Sequence, residues 1–63
     1  MINLTCLNKE KFILNADHIE RLEEVPDTII TLTNGKKYIV TESLDEVVKR
    51  VIAYKNKIFN LNV

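Results

Sequence analysis

Asn34-Gly35 stands between two β-branched runs, residues 28–33 (TIITLT) and 37–41 (KYIVT), and it holds the chain's one glycine. Such a dipeptide between β-formers is the strongest short hairpin signal, because a type I′ turn needs φ > 0 at both central residues. A two-residue turn also fixes register. It sets Thr33 opposite Lys36, Thr31 opposite Tyr38, Ile30 opposite Ile39 and Ile29 opposite Val40. One face is then expected to carry Ile30, Leu32 and Ile39, and the other Ile29, Thr31, Tyr38 and Val40.

The chain before this hairpin also reads as strands. Ile2, Leu4 and Cys6 alternate with Asn3 and Thr5, the period of a strand. Residues 11–15 form a second short strand. A turn at Asn8-Lys9 would place Ile2, Leu4, Cys6 and Ile13 on one face and Leu7, Phe12 and Leu14 on the other. Residues 15–17 read as a turn and 18–24 as a third strand. Residues 23–27 turn again around Pro26, which has no N–H to give to a ladder. Both hairpins thus predict sheets with two apolar faces, which need two covers.

Residues 44–59 predict a helix. Ser43-Leu44-Asp45-Glu46 is a capping box, in which the Ser43 hydroxyl and the Glu46 carboxylate satisfy free backbone donors reciprocally. Leu44, Val47, Val48, Val51, Ile52, Ile58 and Phe59 recur at helical spacing, with Tyr54 on the flank. Asp45 and Glu46 in the first turn and Lys55 and Lys57 in the last suit the helix dipole. The end, Asn60-Leu61-Asn62-Val63, is expected to fray. The expected fold class is α+β: a small antiparallel sheet of about five short strands over residues 2–41, then one amphipathic helix over 44–59. Residues 1–63 are expected to form a single domain.

Composition narrows the function classes. Nine Lys+Arg against nine Asp+Glu give a net charge of zero, so no global field selects a nucleic acid or an anionic membrane. One Cys and one His build neither a structural zinc site nor an internal disulfide. No secretory signal or membrane-spanning run is read in the sequence, and the single thiol suits a reducing compartment. Cys6 reads as a small buried hydrophobe, His18 as a polar strand residue and Ser43 as a cap. The acidic run Asp17, Glu20, Glu23, Glu24 and Asp27 lacks calcium-loop spacing and reads as a solvated edge. No catalytic, cofactor-binding or metal-binding residues are assigned, and an enzyme is not expected.

Larger pieces of the chain resemble a known family. Met1-Ile2-x-Leu4-Thr5-x-Leu7-Asn8, Phe12-x-Leu14-Asn15, Ile19-Glu20, Glu23-x-x-Pro26-Asp27-Thr28 and Ile30-Thr31-Leu32-x-Asn34-Gly35-x-Lys37-Tyr38-x-Val40 carry the likeness, with Glu42-Ser43 opening an amphipathic helix. Together they look like the FlbD/SwrD family of small bacterial flagellar and swarming-motility proteins, over residues 1–58. The resemblance implies a cytoplasmic accessory near the flagellar motor, associated with the power supplied by stator units, and it transfers no catalytic residues. Members often have Asn-Gly at the first turn. Asn8-Lys9 here implies a lysine at φ > 0 or another turn geometry.

The leading function is therefore a non-enzymatic interaction protein of motility with a flagellar motor or stator-associated partner, and with no nucleic acid and no membrane insertion. The alternative is a small nucleic-acid-binding regulatory module, disfavoured by zero net charge and by the absence of paired aromatics on one strand. In a chain this short, ~25 cal/mol per Å² of buried apolar surface and about 1.5 kcal/mol per ordered residue nearly cancel, so self-association is expected. The candidate interaction surface is Ile29, Thr31, Tyr38 and Val40 on an uncovered sheet face, with Lys49, Arg50 and Tyr54 on the helix.

Overall fold

Five strands and a C-terminal helix follow one another along the chain: β1 (Ile2–Thr5), β2 (Lys11–Leu14), β3 (Ile19–Glu24), β4 (Thr28–Leu32), β5 (Lys37–Val40) and α1 (Leu44–Phe59), with a 3-10 turn at Ala16–His18 before β3. The structure, a computed structural model, describes residues 1–59. Asn60 to Val63 and the Phe59 side chain, and with them the expectation of a frayed end, lie outside the described residues. β1 and β2 form one antiparallel pair, and β3, β4 and β5 form a three-stranded antiparallel sheet. A bridge between Cys6 and Val40 and a Thr41 N–H to Thr5 carbonyl bond of 2.8 Å join them, so the spatial order is β2-β1-β5-β4-β3.

Both expected hairpin registers are wrong by one residue, for a common reason. At Gly35 the loop is three residues long, Thr33-Asn34-Gly35: Leu32 N–H donates to the Lys36 carbonyl at 2.8 Å and Gly35 N–H to the Leu32 carbonyl at 2.9 Å. Only Gly35 takes positive φ (+88°) and Asn34 keeps a negative one, so this is a type I turn closed by a left-handed residue and not type I′. Leu7-Asn8-Lys9 repeats it. Cys6 N–H reaches the Glu10 carbonyl at 2.8 Å, Lys9 N–H reaches the Cys6 carbonyl at 2.9 Å, and Lys9 stands at φ +71°.

A slip of one residue exchanges the faces of a strand. Observed pairs are Thr28 with Val40, Ile29 with Ile39, Ile30 with Tyr38, and Thr31 with Lys37. Tyr38 and Val40 therefore join Thr28, Ile30 and Leu32 on the inner face, while Ile39 goes outside with Ile29, Thr31 and Lys37. In the first hairpin Ile2 pairs with Leu14 and Leu4 with Phe12, which moves Phe12 and Leu14 inward and leaves Ile13 66% exposed. Neither sheet has two apolar faces.

β3 reaches the same inner face by a different device. Ile19 and Leu22 are three apart, an odd spacing for residues on one side of a strand. The register shifts between Ile19 and Arg21, leaving Glu20 as an extra residue, and both apolar side chains then pack on the core. The core joins Ile2 and Leu4 of β1, Leu14 of β2, Ala16, Ile30 and Leu32 of β4, Val40 of β5 and Val47 of α1. Phe12 and Tyr38 stack across the seam, ring centroids 5.3 Å apart.

α1 begins where expected, with one correction to its cap. The Ser43 hydroxyl accepts from Glu46 N–H at 3.2 Å, but the Glu46 carboxylate turns to Arg50 instead of back to Ser43. A distant acid contributes: Glu24 accepts from Leu44 N–H at 3.1 Å. The helix buries Val47 completely and packs Val51 and Tyr54 against the core, an i, i+4, i+7 line. Val48 (38% exposed) and Ile52 (53%) lie one residue on, about 100° round the helix, and form a second strip in solvent.

Candidate functional site

Charged side chains converge where β1 meets α1. In the first hairpin, Cys6 turns its N–H toward β2, so Asn3 and Thr5, on the alternate positions, present their backbone groups to the opposite edge. β5 covers that edge only as far as Thr5, whose carbonyl accepts from Thr41 N–H. Beyond it two side chains continue the ladder. Thr5 N–H donates to Glu42 Oε1 at 2.9 Å, and Arg50 Nη1 donates to the Asn3 carbonyl at 2.6 Å.

Glu42 and Arg50 also bind each other at 3.3 Å, and Arg50 Nε meets Glu46 Oε2 at 3.0 Å. The spacing of 42, 46 and 50 sets these three on one side of the helix and its entry. The Glu42 side chain is only 10% exposed. Burial pushes its carboxyl up, but the Thr5 N–H, a further backbone donor and the Arg50 guanidinium outweigh burial and hold it below the usual 4.5. This cluster is a clamp: it closes a strand edge otherwise open to another chain, and it ties residues 3 and 5 to a helix more than 35 positions away.

Two shallow clefts flank Arg50. One, of about 480 Å³, is lined by Thr5, Lys11, Ile13 and Glu42 among others; the second, of about 450 Å³, by Met1, Ala53, Tyr54 and Lys57. Among the described residues no group of three His, Cys, Asp or Glu is placed to hold a metal, and no helix is long and apolar enough to cross a membrane.

The residues expected to form one interaction surface are dispersed. Ile29 and Thr31 lie half-buried on the outer sheet face, and the Thr31 hydroxyl has no hydrogen-bond partner among the described residues. Tyr38 is half-buried against Phe12, and Val40, 2% exposed, is core. Lys49 is exposed, Arg50 holds the clamp and Tyr54 packs on the core. Cys6 is half-buried and free. His18 is exposed, and its carbonyl accepts from Thr33 N–H at 2.8 Å. The acidic residues of the run have separate structural roles. Asp17 meets Lys55 at 3.4 Å, Glu23 meets Arg21 at 3.6 Å, Glu20 is the bulge and Glu24 caps the helix. Sequence reading assigned no role to Glu42, Asn3 or Thr5. The signal was the Glu-x-x-x-Glu-x-x-x-Arg spacing across the helix start.

The fold and the clamp define a small antiparallel α+β domain whose first strand is pinned to its last helix. The sequence model of the FlbD family, flagellar and swarming motility proteins, matches residues 1–59, and the chain belongs to that family. No curated protein and no solved structure matches it.

Proposed function

We propose that this chain is a cytoplasmic, non-enzymatic accessory at or near the flagellar motor, that it supports stator-supplied power in flagellar and swarming motility through protein contacts, and that it self-associates. One observation carries the reading beyond the family's role in motility. Large apolar side chains stand in solvent: Ile13 at 66%, Val25 at 73% and Ile52 at 53% exposure. Glu42 and Arg50 satisfy each other and the β1 edge. Exposed apolar side chains on a folded domain suit contact with another protein surface.

The test is purification of the tagged full chain from motile cells together with the detergent-solubilised motor. Stator subunits should be enriched over an untagged control, and the enrichment should fall when Ile13 is replaced by Glu. Equal recovery from the control, or salt-sensitive binding to RNA or DNA by the pure chain, would overturn the reading.

A further inference from the structure

We propose that two copies of this chain associate through the Val48–Ile52 strip, helix α1 against helix α1 in antiparallel orientation. The inference rests on the self-association part of the function proposed above and assigns it a surface. Val48 and Ile52 are 38% and 53% exposed, four residues apart on one side of the helix and about 100° from the side that buries Val47. The strip is thus separate from both the core contact and the Glu42–Arg50 clamp.

Charge selects the occupant. Acids end with Glu46; residues 47–59 (VVKRVIAYKNKIF) hold four cations and no acid. Along the exposed strip the sequence runs from Asp45 through Val48 and Ile52 to Lys55, acidic at one end and basic at the other. A partner of uniform charge would match half of it, but a second copy turned end for end matches all of it. Centring the two-fold axis between Val48 and Ile52 sets Val48 against Ile52 of the second copy and Asp45 against its Lys55, twice over. Lys55 touches Asp17 at 3.4 Å but is 47% exposed, so its ammonium has room for another carboxylate. Antiparallel packing also opposes the helix dipoles. The contact is closed and isologous, so it stops at two copies. A 16-residue helix is about 24 Å long, so the pair covers less than a standard interface of ~1,600 Å² and the dimer is weak.

Sedimentation of the full chain across micromolar to millimolar concentration tests this, with far-UV circular dichroism confirming that each variant is folded. Wild type should rise from 7.3 kDa toward twice that mass. Ile52→Glu should weaken association at least tenfold, while Ile13→Glu on β2 should leave it unchanged. Asp45→Lys should weaken it several-fold, and adding Lys55→Asp should restore it. A monomer at every concentration would overturn self-association and the strip together. A dimer that survives Ile52→Glu, or is lost in Ile13→Glu, would overturn the strip while leaving self-association standing. Stator capture is a separate readout and is untouched by either result.

Discussion

Lys9 and Gly35 occupy the same position of the same turn, at φ +71° and +88°. An L side chain there costs roughly 1–2 kcal/mol and glycine nothing comparable. An added Cβ at Gly35 would meet no atom within 4 Å, so Gly35→Ala should cost about 1 kcal/mol from the backbone alone. Lys9→Gly should stabilise the chain by several tenths of a kcal/mol, the strain relieved exceeding the unfolded-state entropy gained. Urea unfolding measures both, and equal, near-zero effects would mean these loops are not left-handed at their third residue. Asparagines do related work. Asn8, Asn15 and Asn34 each accept, at 3.0 Å, from the N–H two residues on, folding the chain back on itself. Asn34 is therefore present for its side-chain oxygen and not for tolerance of positive φ, and this is why reading Asn-Gly as a two-residue turn misplaces the register.

At the scale of elements, the identities of the strands and the helix were legible in alternation, β-branching and capping. Strand ends were off by one residue where residues 11–15, 18–24, 28–33 and 37–41 proved to be Lys11–Leu14, Ile19–Glu24, Thr28–Leu32 and Lys37–Val40. The registers were not, although a clue was present. Two-residue turns gave hairpins with apolar residues on both faces, whereas three-residue loops gather Ile30, Leu32, Tyr38 and Val40 on one. Burial decides between loop lengths, and a pattern that leaves both faces apolar signals the wrong one. The bulge at Glu20 was hidden in the same way, showing only as the odd spacing of Ile19 and Leu22. The helix stripe was legible, but its division was not, because which of two adjacent apolar lines meets the sheet depends on the approach of α1. Val47→Ala should cost about 2 kcal/mol, Val51→Ala about 1 and Val48→Ala under about 0.5, since these three are buried, half-buried and exposed. A cost at Val48 equal to that at Val47 would contradict the packing. The clamp makes a pH prediction. Because Glu42 titrates lower in the folded chain than in the unfolded one, its contribution is complete above about pH 4.5 and is lost as pH falls through the folded value. Glu42→Gln should flatten that acid limb of the stability curve, and an unchanged limb would remove Glu42 as its source. Arg50→Met should cost about 1–3 kcal/mol by removing the guanidinium from Glu42 Oε2 and from the Asn3 carbonyl, while Thr5 N–H still holds Glu42 Oε1.

Viewed whole, the molecule has zero net charge but an uneven distribution of it. Glu24 reaches the start of α1 beside Asp45 and Glu46, while cations alone occupy its later turns. The family's role in motility was legible in the sequence because the turn and hairpin motifs span nearly the whole chain. The candidate contact surface was not, since the one-residue register shifts took Tyr38 and Val40 inside and turned Ile13 out to 66% exposure. On the function proposed above, this domain acts at the motor by contact through such exposed apolar groups. The torque of single tethered motors measures it most directly, in cells lacking the chain and complemented with wild type or with Ile13→Glu at equal protein levels. Wild type is expected to restore torque, and Ile13→Glu, folded and abundant, to restore clearly less. Full restoration by Ile13→Glu, or normal torque in cells without the chain, would contradict that reading.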